Sequence, residues 1–142
     1  MSSPRSAKEV YSEYIKVVWE QKDLAALEKY FTTDYVDHAA PPGLPPGLDG
    51  TRALFTMLQR AFPDYSVSIE LQLAEGDLFV ARLVESGTQS GTLYGIPPTG
   101  RRIAMSSTHI LRFRGGKMCE HWSNRDDLGM MQQLGAVQLL GN

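Results

Sequence analysis

The chain has 142 residues, enough for one domain with a sizeable core, and its 42% apolar and 21% charged content is that of a globular protein. Lys and Arg number 14 against 16 Asp and Glu, and the net charge of −2 argues against a nucleic-acid partner. The single cysteine, Cys119, excludes an intramolecular disulfide framework and any zinc site needing two thiolates, and it favours a cytoplasmic setting. Met1–Arg5 has a charge but no apolar run behind it, and no apolar stretch approaches the ~18 residues of a membrane span. No signal peptide, transmembrane helix or membrane partner is therefore expected.

One domain is expected over residues 1–142, with 1–5 as a flexible tail. Ser6 and Glu9 have the spacing of a capping box, so a first helix is expected from Ala7 to about Gln21. Val10, Tyr14, Val17, Val18 and Trp19 form its apolar stripe. Asp23 can cap a second helix, Leu24–Phe31. The segment HAAPPGLPPGLDG, His38–Gly50, has too many prolines and glycines for regular structure. It reads either as a linker or as the rim of a pocket. A third helix is expected from about Thr51 to Phe62, stopped by Pro63, with Leu54, Phe55, Leu58, Ala61 and Phe62 on one face.

The period then changes to two. Val67, Ile69, Leu71 and Leu73 alternate with polar residues and predict a half-buried strand with those four facing the core. Gly76-Asp77 turns the chain into a second strand, Leu78–Gly87, which Thr88–Leu93 either extends or follows as a separate strand. A turn-rich connector, Gly95–Gly100, leads to two long strands, Arg101–Arg114 and Lys117–Arg125. Asp126 or Asp127 caps a final short helix. Helices segregated from a meander of four to six mostly antiparallel strands mean an α+β fold.

His109, His121, Ser107 and Ser123 lie on the last two strands. Their grouping depends on register. A three-residue turn with a bulge at Gly116 sets His109 opposite His121 and Ser107 opposite Ser123, all on one face. A plain Gly115-Gly116 turn sets His109 opposite Trp122 and turns Ser123 away. Two histidines and an aspartate could hold a metal in principle, but their spacing fits no local metal motif, and no metal or cofactor is expected.

DYVDH (Asp34–His38), GIPPTGRR (Gly95–Arg102) and the span from His109 through EHW to DLGMMQQLG resemble the SnoaL-like polyketide cyclases of the nuclear transport factor 2-like superfamily. The resemblance runs over nearly the whole chain. It implies a cone: a curved, mostly antiparallel sheet wrapped around three helices, a short C-terminal helix, a deep apolar pocket and a homodimer. It also favours the first hairpin register.

By the same resemblance, His109 matches the family's pocket histidine on the penultimate strand and His121 its partner on the last strand. Two residues beyond, these cyclases place the aspartate that serves as acid/base in aldol ring closure; here that position is Ser123. The carboxylate is instead expected at Asp37, where known polyketide cyclases have asparagine and ketosteroid isomerases place a general-base aspartate. Burial is expected to raise the Asp37 pKa. Asp37, His109 and His121 are thus the expected catalytic residues. Trp19, His38, Phe55, Leu58, Phe62, Met105, Ser107 and Ser123 are the expected substrate contacts. The implied activity is cofactor-independent cyclase or isomerase chemistry beside a carbonyl of an apolar small molecule. The rivals are a non-catalytic binding protein of the same fold and an epoxide hydrolase-like enzyme, which would need a carboxylate–arginine–carboxylate arrangement on the strands.

Overall fold

The computed structural model describes residues 5–138. Helix α1 (Ala7–Tyr14) starts at the Ser6/Glu9 capping box and runs on into a π-helical segment, Ile15–Glu20. The wider π turn aligns residues five apart, and the Trp19 indole N–H donates to the Tyr14 hydroxyl at 3.2 Å. The expected tail falls outside the described residues except for Arg5, which pairs with Glu13.

The second helix is shorter than expected. A 3₁₀ turn (Leu24–Ala26) leads into α2 (Leu27–Tyr30), and Phe31 already opens strand β1 (Phe31–Asp37). This strand was not foreseen, because its partner lies more than 80 residues on, where Asp37 pairs with His121. The proline-rich loop then crosses the start of α3 (Leu48–Ala61). Gly50 permits this crossing: a Cβ there would lie 1.9 Å from the Pro45 carbonyl oxygen. Pro46 in turn accepts a hydrogen bond from the Asp37 backbone N–H at 2.6 Å, so the loop anchors β1.

Strands β2 (Ser66–Glu75), β3 (Leu78–Thr88), β4 (Arg102–Arg114) and β5 (Lys117–Arg125) follow, then helix α4 (Asp127–Gln133). The sheet order is β1-β5-β4-β3-β2, antiparallel except for the parallel β1–β5 pair. The curved sheet packs its inner face, including Phe79, Ala81, Leu83 and Leu111, into the core against the helices. Thr88–Leu93 is not a strand beyond Thr88. The buried Gln89 carboxamide donates to the Gly91, Ile96 and Pro97 carbonyls and accepts from Thr99, knotting the connector in place. Asp126 caps α4 by accepting from the Gly129 N–H.

Two bulges revise the expected faces. Between Ile69 and Leu71 the β2–β3 register shifts, so Leu71 and Leu73 pair with the outward Arg82 and Val80. They are 65% and 59% exposed instead of buried, and Gln72 turns inward in their place. The β4–β5 hairpin adopts neither register considered. Gly115 and Gly116 (φ +60° and +80°) form a two-residue turn, and Arg114 pairs with Lys117. Cys119 is then the extra residue of a bulge, which shifts the pairing by one. His109 faces Ser123, Leu111 faces His121 and Ser107 faces Arg125, all on the inner face.

Candidate functional site

Because the side chains of a strand alternate, the Cys119 bulge returns His121, Ser123 and Arg125 to the face that carries Ser107 and His109. The parallel β1–β5 register sets Asp37 beside His121. On β3, counting by two from Phe79, Ala81 and Leu83 reaches Glu85, which is buried.

These residues form one chain of hydrogen bonds. Asp37 Oδ1 lies 2.8 Å from His121 Nδ1, His121 Nε2 lies 2.8 Å from His109 Nδ1, and His109 Nε2 lies 3.0 Å from Ser107 Oγ. The Ser107 hydroxyl donates to Glu85 Oε2 at 2.6 Å, and the Tyr65 hydroxyl donates to Glu85 Oε1 at 2.5 Å. The two imidazoles stack with ring centres 5.1 Å apart. Burial, then the neighbouring His121 and Arg125 charges, push the His109 pKa down to about 3. His109 is therefore neutral near pH 7, with one nitrogen donating and the other accepting.

The bonds from His121 through His109 and Ser107 to Glu85 can be satisfied in two directions. With Glu85 a carboxylate, Ser107 donates to it, His109 Nε2–H donates to Ser107, and His121 donates from both nitrogens, to His109 and to Asp37. With the proton on Glu85, that carboxyl donates to Ser107, Ser107 to His109 Nε2, His109 Nδ1–H to His121, and His121 Nδ1–H to Asp37. Both patterns hold the same number of protons. The chain can thus pass a proton between His121 and Glu85 without moving a side chain.

Asp37 is 6% exposed. Burial pushes its pKa up, but the His121 hydrogen bond and charge, the Ala39 N–H and the Arg125 charge together hold it below the ordinary carboxylate range. This corrects the expectation of a raised pKa. Asp37 Oδ1 accepts from both His121 and the Ala39 N–H, while Oδ2 has no hydrogen-bond partner among the described residues.

The chain lies against a cavity that opens to solvent. Asp37, His109, His121 and Ser123 all line it, as do Trp19, Phe55 and Leu58. Trp19 packs between Phe55 and Tyr65, with ring centres 4.5 and 4.8 Å away. Tyr11, Tyr14 and Tyr35 complete a wall suited to planar apolar ligands. Ala39 brings the proline-rich loop to the lining, the rim reading of that segment.

Four expected contacts lie elsewhere. His38 is the first residue after β1 and does not line the cavity; it stacks on Trp122 with ring centres 4.9 Å apart and bonds Glu120 at 2.9 Å. Ser107 is shut behind His109 as a link in the chain. Phe62 and Met105 line a smaller recess, which shares Leu58 and Arg125 with the main cavity. Glu85, Tyr65 and Arg125 were missed, although strand parity alone places Glu85 and Arg125 inward. Arg125 does not complete a carboxylate–arginine–carboxylate set: its ion-pair partner among the described residues is Asp127 at 3.8 Å, and Glu85 bonds Tyr65 and Ser107 instead. No group of three or more His, Cys, Asp or Glu among the described residues could hold a metal ion.

A family model described as SnoaL-like polyketide cyclase matches residues 8–134, nearly the whole chain. The chain belongs to this SnoaL-like family. Nogalonic acid methyl ester cyclase of Streptomyces nogalater is 30% identical over 111 residues, covering 77% of this chain and 83% of the relative. Aklanonic acid methyl ester cyclase DnrD of Streptomyces peucetius is 34% identical over 90 residues, covering 63% of this chain and 62% of DnrD. The match thus spans about three fifths of DnrD's length. The structure of TsrD from Streptomyces laurentii superposes with a TM-score of 0.85 at 28% identity, covering 96% of this chain and all of TsrD. The fold of this SnoaL-like chain is therefore that of the expected cone. Among the described residues no helix is long and apolar enough to cross a membrane.

Proposed function

We propose that this SnoaL-like chain is a cofactor-independent cyclase, closing a ring by an aldol step on an apolar polycyclic compound with adjacent carbonyls. The observation that carries this reading is the unpartnered Asp37 Oδ2 in an apolar cavity, at the end of the His121–His109–Ser107–Glu85 chain. Asp37 takes a C–H proton beside a carbonyl. Neutral His109 has its one N–H committed to Ser107 or His121, so its part is to hold His121 against Asp37. The enolate carbon attacks a second carbonyl carbon, and the resulting alkoxide takes the proton held on Asp37. No atom is gained or lost, so product and substrate are isomers. The names of the relatives, cyclases of aklanonic and nogalonic acid methyl esters, support a polyketide of that kind as the substrate class.

Two coarser features belong to the same reading. The outer sheet face, with Leu71, Leu73, Leu78 and Ile110 exposed, is the contact of a homodimer. The setting is the cytoplasm, consistent with one free, buried cysteine.

The test is incubation of the purified protein with aklanonic acid and, separately, with its methyl ester, followed by chromatography and mass spectrometry. The reading expects a new peak of unchanged mass that depends on the protein. Ser123, standing where the family's strand aspartate is expected, favours one rival, a binding protein without turnover. Saturable binding of either compound with no isomer formed, for this pair and related polyketides, would establish that rival instead.

A further inference from the structure

Arg125 is the half-buried charge that the aldol mechanism leaves unused. It ends β5 opposite Ser107, two residues beyond Ser123, on the inner face. Its side chain is 19% exposed and lines both the main cavity and the smaller recess. Its charge reaches the reacting groups, pushing down both the His109 and Asp37 pKa values.

A guanidinium presents five N–H donors in a planar fork, and a buried one normally has them paired. Arg125 makes no hydrogen bond among the described residues, and its nearest carboxylate, Asp127, is 3.8 Å away and exposed at the start of α4. Glu85 makes no ion pair with Arg125; its oxygens accept from Tyr65 and Ser107 instead. The polar side-chain atoms sealed off without a partner are Thr32 Oγ1, Thr51 Oγ1 and Gln72 Oε1 among the described residues. The Arg125 nitrogens are not among them, so they are unpaired without being sealed off, and the residue lines the cavity. A planar fork of donors at the wall of an aromatic-lined cavity matches two coplanar oxygens carrying negative charge.

We infer that Arg125 is a specificity-determining residue that binds an ionised carboxylate on a planar aromatic ligand, so that this chain prefers the free acid to its methyl ester. This rests on the proposed reading of the cavity as an aromatic-substrate pocket and adds the charge of the substrate to it. The carboxylate sits at the Arg125 end, beyond Ser123, which leaves the ring carbons over Asp37 and His109. A neutral ester lacks the charge and offers one good acceptor, and it loses most of this contact.

The experiment is isothermal titration calorimetry at pH 7.5 with three probes: anthraquinone-2-carboxylate, its methyl ester and unsubstituted anthraquinone. The wild-type protein should bind the acid roughly 10- to 100-fold more tightly than the ester. Arg125→Gln should abolish that preference while changing ester affinity by less than about threefold. Arg125→Lys keeps the charge without the fork and should retain a reduced preference. Thermal melts verify that each variant folds; if Arg125→Gln does not, the Arg125→Lys comparison decides. Equal affinity of the wild type for acid and ester, or a full preference surviving in a folded variant, would overturn the inference and leave the aromatic-pocket reading standing. Failure of all three probes to bind would overturn both.

Discussion

Asp37 and His109 occupy the same cavity wall with opposite requirements. Asp37 is held ionised by His121 and the Ala39 N–H, and His109 is held neutral by burial. The second has a consequence for stability. An unfolded histidine takes up a proton near pH 6.5, whereas folded His109 refuses it until about pH 3. Between those values the unfolded state binds more protons, so stability falls as pH falls, by at most about 1.4 kcal/mol per pH unit from this group. His109→Asn removes the titration. Urea unfolding at pH 6.5, 5.5 and 4.5 should show a shallower loss in the variant than in the wild type; parallel losses would mean His109 is already charged when folded. At this scale the histidines and Asp37 were legible because their residue types advertise chemistry. Glu85 and Arg125 were not, since a charged residue on a strand reads as solvent-facing until its parity against Phe79 or Ser123 is counted. The Asp37 pKa was misjudged because burial was considered without the imidazole that burial brings with it.

The elements depend on two irregularities that periodicity does not reveal. The Cys119 bulge keeps His121, Ser123 and Arg125 on the inner face despite a two-residue turn, and the bulge after Ile69 throws Leu71 and Leu73 outward. Strand boundaries from β2 to β5 were readable from alternation and from the glycine turns; register was not, because one inserted residue reverses every later side chain. The parallel strand β1 was missed because no local turn announces a partner so distant in sequence. The turn itself is testable. Gly116 has φ +80°, a left-handed conformation that costs an L-residue about 1–2 kcal/mol. Gly116→Ala should lower unfolding stability in urea by about that amount with little change in the denaturant slope. Full wild-type stability would show that the hairpin can adopt the three-residue turn.

For the molecule as a whole, the cone was legible from the order of helices and strands together with the family pattern, while its exposed surface was not. Leu71 and Leu73, expected in the core, extend an outer face that also carries Leu78 and Ile110. If that face is the proposed dimer contact, light scattering should give twice the 15.8 kDa of one chain, and Leu71→Glu with Leu73→Glu should reduce it to one. An unchanged mass in the double variant would place the contact elsewhere. The central proposal concerns catalysis: the carboxylate that acts is Asp37, not a group at the Ser123 position. Its most direct measurement is kcat for isomer formation from aklanonic acid or its methyl ester by wild type, Asp37→Asn and Ser123→Ala, assayed side by side. The account predicts a loss of roughly 10²-fold or more for Asp37→Asn, the usual scale for a missing general base, and activity within a few-fold of wild type for Ser123→Ala. Turnover that survives in Asp37→Asn but is abolished in Ser123→Ala would contradict it.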